Sequence, residues 1–208
     1  MQGIAQEGYA AVENTSIDTL NMDAGYLYVE LLHRLVESNR DLGDYETAIF
    51  YGRKAAELEG RFYNVLGSTK QATWGWSEYH LAMALYMSGD TLESEMRIRH
   101  AIDLFQEVDD QWSASFSYNA LGQLQMKKGL FDEALTLNQK GYDLLLPILG
   151  ENHRNIATIL ECRGSIFDAM GEKEQAADCF TRAAAIFCKI NLTKREEKAL
   201  TALRTVQA

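Results

Sequence analysis

The chain has 208 residues, of which 47% are hydrophobic and 24% are charged, a composition typical of folded globular proteins rather than disordered or membrane chains. Thirty acidic residues against twenty lysines and arginines give a net charge of −10, and no basic cluster offers a surface for phosphate groups. The composition therefore argues against nucleic acid and anionic membranes as partners. The single proline, Pro147, favours a mostly helical chain, because proline interrupts helix interiors.

Residues 1–22 have weak periodicity and predict either an N-terminal helix or the remnant of an earlier repeat. They lack the basic start and apolar core of a signal peptide, and nowhere in the chain do 18 apolar residues follow one another. The three cysteines form no CxxC motif, and an odd number is not a disulfide framework. We therefore expect a cytoplasmic protein that is neither exported nor membrane-spanning.

Four glycines recur at similar intervals in the rest of the chain, and each is followed five positions later by a small residue. The glycines are 46, 40 and 42 residues apart, which defines a repeat. The glycine and small-residue pairs are Gly43 and Ala48, Gly89 and Ser94, Gly129 and Ala134, and Gly171 and Ala176.

Each glycine is expected to end one amphipathic helix and to let the next begin within about two residues, since a left-handed residue closes a helix at little cost. Apolar residues at three- and four-residue steps on both sides of each glycine predict an antiparallel helix pair. Asp109 and Asp110 are typical of a helix start. The predicted repeats span 23–61, 69–108, 110–147 and 153–190.

The fourth copy resembles the tetratricopeptide repeat family most closely. The residues that fall at the family's spacing are Leu160, Gly164, Phe167, Gly171, Ala176, Phe180 and Ala183. The third copy departs from the pattern at Gln125, Asn138 and Gly141. The resemblance implies an all-α, right-handed superhelical solenoid of four helix hairpins across residues 23–190.

The long repeat period resembles the variant found in kinesin light chains. Residues 149–158 are similar to the linker of that variant, with Arg154 in place of its proline. Residues 191–208 begin with polar and charged side chains and then carry Leu200, Leu203 and Val206. We interpret this last segment as a helix that caps the exposed end of the repeats.

No catalytic motif is recognisable: the sequence lacks GxSxG, HExxH, CxxC and a glycine-rich phosphate loop. The four histidines lie in different predicted helices or linkers without metal-ligand spacing. The sequence therefore predicts a protein that is not an enzyme and that has no catalytic, cofactor or metal site.

Tetratricopeptide stacks usually bind through the inner face of the first helix of each pair, so the resemblance implies a groove there. Counting back from each glycine gives the groove candidates Glu37, Trp76, Tyr79, Met83, Tyr86, Phe116, Asn119, Gln123, Met126 and Glu161. The resemblance further implies that Asn119 hydrogen-bonds the backbone of an extended peptide. The alternative for Trp76, Tyr79 and Tyr86 is that they pack inside the protein.

The sequence thus favours a protein-interaction scaffold that holds a peptide or helix of a partner protein. The centre of that segment is expected to be apolar, with basic flanks facing Glu37, Glu161 and Asp168. The alternative is a module for self-association into a homo-oligomer, or for docking onto another domain of a larger regulatory protein. A small-molecule sensor domain is a third class, which would need a closed pocket with polar groups inside.

Overall fold

The computed structural model describes residues 22–66 and 71–207, and in these residues it contains nine helices and no strand. The helices are α1 (Met22–Asp41), α2 (Tyr45–Leu66), α3 (Gln71–Ser88), α4 (Thr91–Glu107), α5 (Gln111–Lys127), α6 (Phe131–Leu149), α7 (Arg154–Met170), α8 (Lys173–Lys189) and α9 (Thr193–Gln207). The predicted all-α repeat fold is confirmed. The interpretation of residues 1–22 lies outside the described residues, except for Met22.

The helices fall into two compact units that divide between Val108 and Asp109. The first unit contains α1 to α4 and the second contains α5 to α9. Within each unit, successive helices pack against each other and bury the apolar stripe that the sequence predicts. Each unit therefore holds two of the four predicted helix pairs.

The predicted turns lie at the four glycines, all with positive φ angles: 80° at Gly43, 98° at Gly89, 76° at Gly129 and 79° at Gly171. At the first turn, the Gly43 N–H donates to the Arg40 carbonyl, and the next N–H donates to the Asn39 carbonyl. These two bonds satisfy carbonyls at the end of α1 that have no partner within the helix. The glycine therefore ends one helix and turns the chain into the next.

Aspartates cap the starts of three helices, Asp44 at α2, Asp90 at α4 and Asp110 at α5, the last as the sequence predicts. The Asp110 carboxylate accepts a hydrogen bond of 3.0 Å from the Ser113 N–H at the start of α5. Asp90 accepts an equivalent bond from the Glu93 N–H at the start of α4. Each cap satisfies a backbone donor in the first turn, which stabilises a helix by about 1 kcal/mol.

The second helix of the first pair is longer than predicted, because α2 continues to Leu66 rather than ending near residue 61. Its added turn packs on α3, where the ring of Tyr63 lies 5.2 Å from the ring of Trp74. Gly60 makes room for this contact, since a Cβ there would lie 3.3 Å from the Trp74 ring. Aromatic packing between helices thus extends α2 beyond the boundary that periodicity alone indicates.

Small residues lie where the two helices of a pair come closest. Ala48, Ala134 and Ala176 have no exposed surface. Gly164 in α7 faces the ring of Phe180 in α8 so closely that a Cβ would lie 2.8 Å from it. These positions set the distance between helix axes, and larger side chains there would force the helices apart.

The C-terminal helix α9 packs against α8 and buries Ala199 and Val206. Val206 joins an apolar cluster with Ala176 and Phe180 of α8. The predicted C-terminal helix therefore covers apolar surface of the last pair.

We expect Ala176→Leu to lower the free energy of unfolding by about 1 to 3 kcal/mol, because over-packing a tight contact forces backbone shifts. Ala185→Leu is the matched control, since Ala185 lies in the same helix but is exposed. Urea unfolding followed by circular dichroism measures both variants. Equal stability of the two variants would contradict the assignment of Ala176 to the closest approach.

Deleting residues 192–208 should expose the apolar side of α8 around Phe180 and raise aggregation without abolishing helicity. Light scattering and far-ultraviolet circular dichroism on the shortened chain test this expectation. A shortened chain that stays soluble and equally stable would show that α9 does not protect the last pair.

Candidate functional site

The groove candidates of α3, α5 and α7 occupy four equivalent positions, located 13, 10, 6 and 3 residues before the turn glycine. We call these positions the inner row. The half-buried members of the inner row are Trp76, Tyr79, Met83, Tyr86, Phe116, Gln123, Met126, Thr158, Glu161 and Ser165. Core residues on the same helices, such as Leu81, Leu121 and Leu160, are almost completely buried. The inner row therefore lies at the border of the core in each helix.

Aromatic rings of the first unit pack on one another at its inner-row positions. The ring of Trp76 lies 5.4 Å from that of Tyr79, 5.8 Å from that of His80 and 5.6 Å from that of Phe105 in α4. Phe105 is fully buried, and burial raises the pKa of Tyr79 above its ordinary value. Trp76 and Tyr79 thus contribute to internal packing while keeping part of their surface accessible.

Two histidines meet where α1 packs on α3. His33 Nε2 and Ser77 Oγ share a hydrogen bond of 2.7 Å, and the rings of His33 and His80 lie 4.9 Å apart. Burial lowers the pKa of His33 to about 4 and the pKa of His80 to about 3. Both side chains are therefore neutral at pH 7.

Glu37, a groove candidate of α1, lies beside this histidine pair. Its carboxylate is 3.7 Å from Arg34 Nη1 and 4.0 Å from His80 Nδ1. The nearby arginine already offsets part of its charge, so Glu37 is a weaker attractant for a basic partner than the sequence suggests.

A buried carboxylate that the sequence analysis did not identify joins α3 to α4. Glu78 accepts hydrogen bonds from Arg97 at 3.1 and 3.3 Å and from Trp74 Nε1 at 3.2 Å, and His100 Nδ1 lies 3.3 Å away. Burial alone would raise the pKa of Glu78, but the hydrogen bonds from His100 and Arg97 outweigh it and hold that pKa below its ordinary value. This network is a structural feature of the first unit.

Asn119, expected to contact the backbone of a bound peptide, is instead buried inside the second unit, which corrects that expectation. Its Oδ1 accepts a hydrogen bond of 3.1 Å from Asn138 Nδ2. Asn138 Nδ2 also donates to the Ile159 carbonyl, and Asn138 Oδ1 accepts from Arg163 Nε at 2.8 Å. Asn138 thus ties α5, α6 and α7 together and uses Asn119 as an internal partner.

Three other candidates meet in a cavity of about 300 Å³ in the second unit. Gln123 and Met126 enter it from α5, and Glu161 enters it from α7. The remaining lining residues are Thr158, Cys162, Ser165, Phe180, Arg195, Lys198 and Ala202. The cavity therefore brings the inner row of two helices against the C-terminal helix α9.

Arg195 of α9 corrects the expectation that Glu161 attracts a basic partner. Its Nη2 donates to the Glu161 carboxylate and, at 3.1 Å, to Thr158 Oγ1. The guanidinium also lies over the Phe187 ring, 5.0 Å from its centroid. The negative charge of Glu161 is thus neutralised by the protein itself.

Arg195 and Lys198 are functional candidates that the sequence analysis missed. With Ala202 they recur at three- and four-residue steps along α9, so they share one face of the helix. That spacing could have revealed them if the C-terminal helix had been compared with the first helix of a repeat. The interpretation of α9 as a cap alone did not predict its contribution to the cavity.

Within the part of the chain that the structure describes, no cluster of three histidine, cysteine or acidic side chains is arranged to hold a metal ion. Burial raises the pKa of the Cys162 thiol to about 12, so that thiol is protonated where it lines the cavity. None of the described helices combines the length and apolar character needed to cross a membrane.

Two tetratricopeptide repeat models match the sequence, one at residues 29–62 and one at residues 113–189. The chain belongs to the tetratricopeptide repeat family. The matched segments fall on α1 and α2 and on α5 to α8, where the helix pairs have the turns and small residues described above. No curated protein matches the sequence of this tetratricopeptide repeat chain.

Several solved structures have the same fold as this tetratricopeptide repeat protein. BtubC (BKLC) from P. vanneervenii is 13% identical, with a TM-score of 0.65, over 98% of this chain and 86% of that one. The nearly identical TPR-like repeats described as a kinesin light chain of Podosopora anserina are 15% identical, with a TM-score of 0.63, over 86% and 95%.

A Rap protein in complex with Competence and Sporulation Factor is 16% identical, with a TM-score of 0.57, over 86% of this chain and 52% of that one. At these identities the likenesses establish the fold alone. The tetratricopeptide architecture supports the binding of protein partners in general.

Because of the His33 and His80 pair, we expect the free energy of unfolding to fall in acid. Because the pKa values of His33 and His80 are lower in the folded chain than the ordinary value near 6.5, protons bind the unfolded chain more tightly. Their contribution is complete above pH 6.5 and declines as the pH falls towards 4 and 3. Each histidine should remove about 1.4 kcal/mol of unfolding free energy per pH unit in this window.

Urea unfolding at pH 7 and pH 5 measures this decline, which the double variant His33→Gln/His80→Gln should flatten. His100→Gln is the opposite control. A hydrogen bond from His100 to Glu78 raises the pKa of His100, so its contribution is present at low pH and lost as the pH rises. Removing His100 should therefore make the free energy of unfolding fall more steeply as the pH decreases. If the free energy of unfolding of the double variant declines as steeply with falling pH as that of the natural chain, the buried histidines are not the cause of the acid loss.

Proposed function

We propose that this protein is a non-catalytic scaffold in which each of the two units binds a segment of a partner protein at its own inner-row positions. The observation that carries the proposal is that ten of the twelve inner-row positions of α3, α5 and α7 are half-buried beside a fully buried core. Side chains at such positions are held in place by the core and still present surface to a ligand. At least three of the four positions are half-buried in each helix, so the surface repeats from one helix pair to the next.

The first unit offers an apolar surface to such a segment. Met83 and Tyr86 continue the row from the packed rings of Trp76 and Tyr79 towards the turn at Gly89. Aromatic and methionine side chains are common where binding energy is concentrated, because they bury a large area with few rotatable bonds or adapt to the partner. An apolar stretch of a partner segment fits this surface.

The second unit offers a cavity with a mixed lining. Gln123, Met126 and Glu161 contribute polar and apolar groups to one concave site, the usual composition of a specific binding pocket. The Rap protein complex shows that a protein of similar fold binds another molecule. Tetratricopeptide scaffolds are typically not enzymes, which supports a role in holding a partner rather than in chemistry.

The test uses peptides selected from a phage-displayed library on the natural chain and then synthesised for fluorescence anisotropy. Among the selected peptides, Met83→Ala should weaken those bound by the first unit and Met126→Ala those bound by the second, each about fivefold or more, equivalent to about 1 kcal/mol, because each substitution removes apolar contact from the row. Thermal unfolding of the same samples establishes that the variants remain folded.

Met96→Ala is the matched control, since Met96 is 59% exposed on α4 and lies outside the inner row. It should leave peptide affinity unchanged. Equal weakening by all three substitutions would contradict binding along the row, and failure of the natural chain to select any peptide would contradict the proposed function.

A further inference from the structure

We infer that the cavity between α5, α7 and α9 receives an aspartate or glutamate side chain of the partner segment. This inference rests on the proposed function and specifies the chemistry of its partner. The sequence alone suggests a basic partner group at Glu161. The side chains around Glu161 in the structure favour an acidic partner group instead.

The charges that line the cavity favour a carboxylate. Arg195 and Lys198 supply two positive charges, and Glu161 supplies one negative charge, which Arg195 already pairs. Lys198 is exposed and makes no ion pair with any other described residue. The cavity therefore has an excess of positive charge with one cation available to a ligand.

Hydrogen-bond donors at the cavity point to the same ligand class. Gln123 is half-buried in the lining, and its side-chain amide has no hydrogen-bond partner among the described residues. The Arg195 guanidinium is incompletely satisfied as well, since its Nε is buried without a partner. A carboxylate can accept hydrogen bonds from several donors at once, which suits an amide and an ammonium group that line the cavity from different helices.

The charge of the whole chain does not oppose this assignment, because the negative charge is unevenly distributed. Residues 1–108 contain 17 acidic and 8 basic side chains, whereas residues 109–208 contain 13 acidic and 12 basic ones. The sequence of the second unit is therefore close to neutral. An acidic group of a partner encounters little net repulsion there, and charges beyond about 10 Å are largely screened at ordinary salt.

The size of the cavity favours a side chain within a bound segment over the carboxylate at a chain end. Its volume of about 300 Å³ exceeds the space of a carboxylate, which is comparable to a few water molecules of about 30 Å³ each. Met126, Phe180 and Ala202 add apolar lining for the methylene groups and flanking backbone. A segment that continues in both directions uses this space.

The experiment selects phage-displayed random peptides on the full chain and on two variants of α9. Lys198→Glu reverses the available charge of the cavity. Lys194→Glu is the matched control, because Lys194 is exposed on the same helix, does not line the cavity and changes the net charge equally. Selected peptides are then synthesised with blocked ends, which removes both terminal charges.

We expect the natural chain and Lys194→Glu to select peptides with aspartate or glutamate at one position, and Lys198→Glu to lose this preference. The blocked acidic peptide should bind Lys198→Glu about fivefold more weakly, and replacing its acid by the matching amide should cost the natural chain a similar factor. The difference should shrink at high salt.

Selected peptides without an acidic preference, or equal losses for Lys194→Glu and Lys198→Glu, would overturn the inference and leave the proposed function standing. Binding that disappears when the peptide ends are blocked would also overturn it, since a terminal carboxylate would then be the ligand. If the natural chain selects no peptide at all, both the inference and the proposed function fail.

Discussion

The close approach of the two helices in each pair is the constraint on which the rest of this structure depends. Ala48, Ala134 and Ala176 occupy the contact without exposed surface, and Gly164 admits the Phe180 ring. When the axes are this close, large side chains on either side can interlock at the density of a protein interior. The first helix of each pair is then held at a fixed distance from the second, which also fixes the side chains of the inner row.

Buried polar groups add specificity to this packing. Asn138 satisfies its own hydrogen bonds by joining three helices of the second unit, and Glu78 joins two helices of the first. Because an unpaired polar group is costly in the interior, each network favours one arrangement of its helices over others. The inclusion of Asn119 in such a network explains why a side chain on the inner row is unsuited to contact a partner.

The C-terminal helix has two physical roles. One face buries Ala199 and Val206 against the last pair, while Arg195 and Lys198 line a cavity with residues from α5 and α7. A helix that closes the end of a repeat array also places side chains beside the inner row of the neighbouring helices. The same helix therefore covers the core and sets the charge of the cavity.

The sequence by itself determined the all-α repeat fold, the turns at four glycines and the residue types of the inner row. These features depend on local chain conformation and on helical periodicity, both of which are visible within a few turns. It did not determine the end of α2, because the packing of Tyr63 on Trp74 of the next helix is not visible in the hydrophobic pattern of α2 itself. Only the tertiary structure decided the partners of Asn119 and the charge around Glu161, since the side chains that meet them, Asn138 and Arg195, are 19 and 34 residues away in the chain.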